Sequence, residues 1–330
     1  MTERDSGTSA QRKVEGAASR GAGRRQWSAA PAVAVLTALV LIAACGGDGE
    51  KTPEASPTAG GLASLRGAVA FSSDADGDSD IYLLEEGDSQ PTKLTVNEPD
   101  DFAPAWSRDG TRIAFTSFRD GNFEVYVMNS DGSDQKRLTN HDFVDTFPSW
   151  SPAGDKIAFA SGRSGNTEIY VINPDGSGLE KLTDNPSGDS DPDWSPDGSK
   201  IVFESDRDKN REIYVMNADG SGPKRLTDHA GDDFAPTWSP DGTQIAYVSK
   251  TEKSFEIYVM NADGSNQHAL TDDQFVDTFP SWAPDGRSLV FVTRVRANAD
   301  IFIIDAVSGG QLPLQQEPAD ELYPAWSPVP

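Results

Sequence analysis

The sequence predicts an all-β protein, a six-bladed β-propeller, and three observations support that fold class. Six tryptophans recur at intervals of 44 residues, six copies of this unit fill residues 67–330, and each copy contains four short runs of strand-forming residues. A fixed period of this length is typical of propellers and related repeat proteins. The repeated tryptophans are Trp106, Trp150, Trp194, Trp238, Trp282 and Trp326.

One repeat shows how the four strands are arranged. FPSWS at 147–151 begins the unit, DKIAFAS at 155–161 and TEIYVIN at 167–173 follow, and LEKLT at 179–183 is the fourth run. β-Branched and aromatic residues favour strands, and the Asp-Gly pairs between the runs favour tight hairpin turns. Each unit is therefore expected to form one blade of four antiparallel strands.

Closure of the ring is predicted from the two ends of the repeat array. The array begins with a second-type strand, GAVAF at 67–71, and ends with a first-type strand within YPAWSPVP at 323–330. We expect the C-terminal strand, residues 322–327, to join the first blade, because this pairing removes an open sheet edge.

The amino-acid pattern of the repeat resembles that of a known family. Residues 195–227, SPDGSKIVFESDRDKNREIYVMNADGSGPKRLT, are similar to the repeat of TolB-like (WD-repeat-like) β-propellers. TolB-like propellers bind the peptidoglycan-associated lipoprotein, so the resemblance implies a protein-interaction role at the cell envelope. TolB also has an N-terminal α/β domain with no counterpart in residues 1–66, so the resemblance concerns the propeller alone.

The N-terminal segment predicts export and lipidation. Residues 1–44 read as a signal peptide of the lipoprotein type, since basic residues precede the apolar run AAPAVAVLTALVLIAA at 29–44. Cys45, the single cysteine, follows in LIAACGG, which resembles a lipobox and implies acylation of this residue. Residues 45–66 read as a flexible tether. We expect an extracytoplasmic protein anchored by lipid; an ordinary signal peptide or an uncleaved anchor are the alternatives.

Charge restricts the possible partners. The formal net charge is -25, and so acidic a protein repels the phosphate backbone of nucleic acids. A protein or basic peptide at the cell envelope is the expected partner of a monomeric propeller. A disulfide within the chain is excluded, because one cysteine cannot form one.

One face of the propeller is predicted to carry function. The loops from second to third strand and from blade to blade vary in sequence, and variable loops on a rigid scaffold are where binding residues concentrate. On this loop face, carboxylates at the start of each innermost strand form an inner acidic ring, which we expect at the channel mouth with aromatic neighbours. These ligand-binding candidates are Asp101, Asp145, Asp189, Asp233, Asp277 and Glu321.

A second set of carboxylates, the outer acidic ring, begins the third strands and is expected to be structural. Arg119, Arg163 and Arg207 are expected to pair with it, because each lies five residues before a member of the ring. The ring is Asp80, Glu124, Glu168, Glu212, Glu256 and Asp300.

One loop is a candidate calcium site. Asp74, Asp76, Asp78 and Asp80 alternate around Gly77, and alternating oxygen ligands around a glycine are typical of calcium loops. A polar hairpin turn is the alternative reading, and no other cofactor is expected.

Catalysis is not expected from the sequence. The three histidines, His141, His229 and His268, do not all share one repeat position, and no G-x-S-x-G motif occurs. The sequence therefore favours a protein-binding scaffold that uses the acidic loop face. An extracytoplasmic enzyme or a carbohydrate-binding module that uses acidic loop residues is the alternative.

Overall fold

A computed structural model describes residues 67–295, 297–315 and 318–328 of the chain. Within them, six four-stranded antiparallel sheets form the blades of a propeller, as predicted. The segments 1–44 and 45–66, including Cys45, lie outside the described residues. No membrane-spanning helix is found in the part of the chain that the structure describes.

Each blade begins with an innermost strand and a second strand, and the second and third strands carry most of the buried hydrophobic residues. The innermost strands are β4 Asp101–Trp106, β8 Asp145–Trp150, β12 Asp189–Trp194, β16 Asp233–Trp238, β20 Asp277–Trp282 and β24 Glu321–Trp326. The second strands are β1 Ala68–Ser73, β5 Arg112–Ser117, β9 Ile157–Ser161, β13 Lys200–Ser205, β17 Gln244–Lys250 and β21 Ser288–Thr293.

The outer two strands complete each blade. The third strands are β2 Asp80–Glu85, β6 Glu124–Asn129, β10 Glu168–Ile172, β14 Glu212–Asn217, β18 Phe255–Asn261 and β22 Asp300–Asp305. The fourth strands are β3 Thr92–Lys93, β7 Lys136–Arg137, β11 Glu180–Lys181, β15 Lys224–Arg225, β19 His268–Ala269 and β23 Gln311–Gln315.

The ring closes through β24, and this prediction is confirmed. β24 pairs with β1, so that blade 1 has the order β24-β1-β2-β3 and blades 2 to 6 follow in chain order. Each innermost strand contacts the innermost strands of both neighbouring blades, and β24 contacts β20 on one side and β4 on the other.

The hydrophobic core lies between successive blades. Val125 and Val127 of blade 2, for example, pack against Trp150 and Phe159 of blade 3 in one buried cluster. A sheet that is apolar on both faces has to bury both. A closed ring does this, because every blade has two neighbours.

Every innermost strand contains a β-bulge at the same position. Its pairing with the second strand shifts register just before the repeated proline, and the bulged residue has a positive φ near 50° although it is not glycine. These residues, the channel ring, are Ala103, Phe147, Asp191, Ala235, Phe279 and Tyr323. Side chains other than glycine adopt this conformation at a cost of roughly 1–2 kcal/mol, so the surrounding ring must hold them.

Candidate functional site

The inner acidic ring begins the innermost strands, as predicted, but it lies inside the protein. All six of its residues are no more than 1% exposed. They therefore do not form an exposed rim at the channel mouth, which is where the sequence analysis expected them. Burial of a carboxylate disfavours its charged form, so each buried acid needs a partner.

Three arginines supply that partner in blades 2 to 4. Arg119 Nη2 lies 2.9 Å from Asp101 Oδ2, and Arg163 Nη2 lies 2.5 Å from Asp145 Oδ2. Arg207 Nη2 donates to both oxygens of Asp189 at 2.9 Å. The expectation that these arginines pair with the outer acidic ring is wrong. The hairpin between second and third strands brings its loop beside the start of the innermost strand instead.

Burial still raises the pKa of two of these carboxyl groups. For Asp101 and Asp145 desolvation is the largest effect, and the neighbouring hydroxyls and guanidinium groups oppose it. Each arginine also stacks over two rings of its own blade; Arg119, for example, lies over Phe115 and Tyr126. These contacts fix the guanidinium group where the carboxylate needs it.

Glu124 and Glu212 of the outer acidic ring are held by hydrogen bonds from the loop before their strand, from the fourth strand and from the loop that follows it. Glu124 accepts from Asn122 Nδ2 at 3.1 Å, from Arg137 Nη2 at 2.7 Å and from Thr139 Oγ1 at 2.6 Å. Glu212 has the same environment, with Asn210, Arg225 and Thr227 as its donors. These contacts fit the structural role expected from the sequence.

The candidate calcium loop contains a basic side chain. Lys93 Nζ lies 2.5 Å from Asp76 Oδ2 and 2.6 Å from Asp80 Oδ2. Asp74 points elsewhere and accepts the backbone N–H of Asp320 at 2.7 Å. An ammonium group thus neutralises the carboxylates of the loop. Calcium at this loop remains a prediction.

A channel runs through the centre of the propeller and is constricted by aromatic residues. Phe147, Phe279 and Tyr323 of the channel ring pack together with Phe102. The ring centroids of Phe279 and Tyr323 are 4.2 Å apart. Beyond the constriction a cavity of about 350 Å³ opens among the repeated prolines and tryptophans. It lies toward the turns between first and second strands, a face to which the sequence analysis assigned no function.

Blade 4 contributes two acidic residues to the channel. Burial and the charge of Glu204 raise the pKa of Asp191 well above its usual range. Asp193 connects three blades, because it accepts hydrogen bonds from Ser149 Oγ at 3.0 Å and from the Trp238 N–H at 2.9 Å. The channel ring was not predicted from the sequence. In the sequence, each channel-ring residue directly precedes the constant proline of its repeat, and the residue type at this position varies between repeats.

The exposed part of the loop face is also acidic. Six of its exposed carboxylates make no ion pair among the described residues, whereas the exposed lysines at this face in that part of the chain are Lys209, Lys250 and Lys253. Two apolar side chains lie among them, Val96 (80% exposed) and Phe143 (48% exposed), on consecutive inter-blade loops. The unpaired carboxylates are Asp74, Glu98, Asp100, Asp142, Asp206 and Glu252.

Comparison with family models agrees with this architecture. The model described as the TolB beta propeller domain matches residues 64–147 and 138–330. The chain belongs to the TolB β-propeller family. A search of curated proteins finds no sequence match to the chain.

Solved structures share the fold at low sequence identity. TolB from Acinetobacter baumannii is 24% identical with a TM-score of 0.71, over 79% of this chain and 66% of that protein. The Agrobacterium tumefaciens protein described as a TolB is 23% identical with a TM-score of 0.62, over 81% and 95%. The chain thus matches slightly less than two thirds of the Acinetobacter TolB.

Enzymes share the same fold. An oligogalacturonate lyase in complex with manganese is 14% identical with a TM-score of 0.53, over 77% of this chain and 75% of that protein. Likeness at this level shows the fold alone, and the propeller fold serves both binding proteins and enzymes.

Proposed function

We propose that this TolB-family propeller is an extracytoplasmic lipoprotein that binds a basic protein or peptide on its loop face. The observation that carries the proposal is the pair of exposed apolar side chains, Val96 and Phe143, among exposed carboxylates that lack ion pairs. Protein-binding surfaces commonly combine apolar anchors with a charged rim. The acidic rim would favour encounter with basic partners.

The acidic residues that carry this binding are the exposed ones. Glu98 and Asp142 lie beside the two apolar side chains and make no side-chain hydrogen bond among the described residues. The side chains of the buried inner acidic ring are covered and cannot contact a partner directly. Substitution of those buried residues would test folding, so the exposed pair is the informative target.

Charge reversal of the exposed pair tests the proposal. The Glu98→Lys/Asp142→Lys variant is expected to lose a salt-sensitive partner from a cell-envelope extract, and to weaken binding of a purified Lys-rich peptide at least tenfold. The matched control is Glu86→Lys/Asp134→Lys, which makes the same charge change at exposed residues on the opposite face. Equal loss in both variants, or no loss in the first, would contradict a binding site on the loop face.

Anchoring depends on Cys45. We expect the chain to incorporate radiolabelled palmitate and to fractionate with membranes, and the Cys45→Ala variant to do neither. Recovery of the variant with the membranes in the same amount would contradict lipid anchoring through this residue.

A further inference from the structure

Three carboxylates converge at the junction of blades 5 and 6. Glu256 is the second residue of β18, Asp273 lies in the loop after β19, and Asp277 begins β20. One oxygen atom from each lies within 4.8 Å of the others. Glu256 and Asp277 are 1% exposed, and Asp273 is half-buried.

Four of the five equivalent junctions carry a neutral or basic residue in the middle position, and the fifth carries Glu317, which lies outside the described residues. Asn97, His141, Asn185 and His229 occupy the repeat position of Asp273. Asn185 Nδ2 donates to Asp189 at 2.7 Å, and His229 Nδ1 lies 2.8 Å from Asp233 Oδ2. These residues satisfy the neighbouring inner acid, whereas Asp273 adds a third negative charge.

The basic side chains that pair with the equivalent carboxylates in other blades are also replaced at the junction of blades 5 and 6. Val295 stands at the repeat position of Arg207, so Asp277 lacks the arginine that its counterpart has. Ala269 stands at the position of Arg225, and Ser254 at that of Asn210, so Glu256 lacks two donors. Ser254 Oγ donates to the Phe275 carbonyl instead.

The buried oxygens are consequently without partners. Both carboxylate oxygens of Asp277 and Oε1 of Glu256 accept no hydrogen bond from any described residue. The hydroxyls of Thr271 and Thr293 lie near enough to Asp277 to lower its pKa somewhat, but neither has hydrogen-bond geometry. Buried charges without a partner are costly, so this junction requires a compensating cation or bound protons.

A cavity opens from the surface onto Glu256, one of the three carboxylates. It has a volume of about 290 Å³ and is lined by Glu256, Ala269, Thr271 and Asp272, among others. The small side chain of Ala269 leaves open the space that a long basic residue takes in other blades. Lys253 at the rim is 66% exposed and pairs with Asp272 at 3.0 Å, so it does not neutralise the buried oxygens.

We propose that the junction of blades 5 and 6 binds a divalent cation of the calcium type through Glu256, Asp273 and Asp277. Calcium takes carboxylate oxygens at about 2.3–2.6 Å, so oxygens within 4.8 Å of one another can share one ion. Water entering through the cavity can complete the coordination. In this arrangement the ion takes the place of the arginine side chains that pair with the inner acid within each of blades 2, 3 and 4.

Metal titration of the full chain tests the site. We expect calcium to bind with a stoichiometry of one by isothermal titration calorimetry after removal of metal with EDTA. Calcium at a free concentration of about 100 times its Kd should raise the Tm of the chain by roughly 5 °C. Failure of calcium and of manganese to bind the metal-free chain, or binding without a change in Tm, would overturn the proposal.

Two variants place the binding at this junction. Val295→Arg restores the residue of blades 2 to 4, and its guanidinium group can stack on Phe291 and Phe302 to reach Asp277. Asp273→Asn restores the residue found at Asn185. Both are expected to raise the Tm in EDTA and to abolish its response to calcium.

The control is Asp76→Asn, which removes one carboxylate from the three-carboxylate cluster Asp76, Asp78 and Asp80. It should leave the calcium response unchanged. An unchanged response in Asp273→Asn, or a response lost in Asp76→Asn, would overturn the assignment. If only acidification below pH 7 stabilises the metal-free chain and calcium does not, protons rather than a metal fill the site and the proposal is wrong.

Discussion

At the residue scale, four of the six carboxylates of the inner acidic ring pair with basic side chains of two kinds. Asp101, Asp145 and Asp189 pair with arginines of their own blades, and Asp233 pairs with a histidine. The contact favours the protonated, charged form of His229, because the hydrogen bond to Asp233 raises the pKa of the imidazole. The repeat thus fixes where an acid is buried, whereas the basic partner differs from blade to blade and is missing at Asp277.

Removal of one arginine should show how much the pairing of arginine with the buried acid contributes to the free energy of unfolding. Arg163→Ala leaves Asp145 buried without its ion pair, and loss of one partner of a buried pair costs about 3 kcal/mol. Urea unfolding should show that loss, and Arg163→Ala/Asp145→Asn should recover most of it. A single variant as stable as the unmodified chain would show that the pair contributes nothing.

Asp277 should make stability fall as pH rises. Burial, more than the charges of Asp273 and Glu256, raises its pKa from 3.8 to about 7. The folded state therefore binds a proton that the unfolded state has released, and this stabilisation is present below about pH 4 and is lost by pH 7.

The measurement is the free energy of unfolding between pH 4 and pH 8 in EDTA. Over this range the unmodified chain should lose up to about 4 kcal/mol more than Asp277→Asn. Parallel pH profiles for the two proteins would contradict a raised pKa.

The pairing of the arginines shows what sequence reasoning misses at this scale. Arg119 is five residues from Glu124 and eighteen from Asp101 along the chain, so sequence distance favoured the wrong partner. In the folded blade Asp101 pairs with Ser117 across the β4–β5 ladder. Ser117 Oγ accepts from Arg119 Nε at 2.8 Å, which directs the guanidinium group toward the inner acid.

At the scale of elements, the repeat predicted the strands well because each one carries its own pattern and turn signal. The four-strand order, the Asp-Gly turns and the role of β24 all follow from local patterns. Gly220 shows why glycine is needed in one such turn: its φ is 83°, and an added Cβ would lie 2.4 Å from the Leu182 carbonyl oxygen of the preceding blade. The bulges were missed, because nothing in alternating hydrophobicity marks an inserted residue.

Deletion of residues 321–330 should destabilise the whole ring. It leaves β1 with an unpaired edge and removes Trp326 from the cluster between blades 6 and 1. We expect a fall in Tm of more than 10 °C and aggregation, which light scattering would detect. A synthetic peptide of residues 318–328 should partly restore the Tm, and a truncated chain as stable as the full one would contradict closure by β24.

At the scale of the whole molecule, the fold was predictable and the site was not. The 44-residue period, repeated without an insertion, determines the blade number. The site depends on where the repeats differ, such as Val295 in place of arginine, and on which side chains the ring buries. Burial of the inner acidic ring follows from packing between blades, and no single repeat contains that information.

Net charge should make the stability of the molecule depend on salt. With 53 acidic and 28 basic residues, repulsion between like charges destabilises the compact state at low ionic strength. In EDTA, the Tm at pH 7 should rise by a few degrees between 10 and 150 mM sodium chloride. Sucrose of equal osmolarity is the uncharged control, and a Tm that falls with salt would mean that ion pairs dominate.

The closing strand also has a consequence for biosynthesis. β24 follows every other strand along the chain and yet belongs to the sheet of β1. A growing polypeptide therefore cannot finish its first blade until the other five have left the ribosome. Until β24 is synthesised, β1 keeps an unpaired edge, so the ring can close only after the whole propeller has been translated.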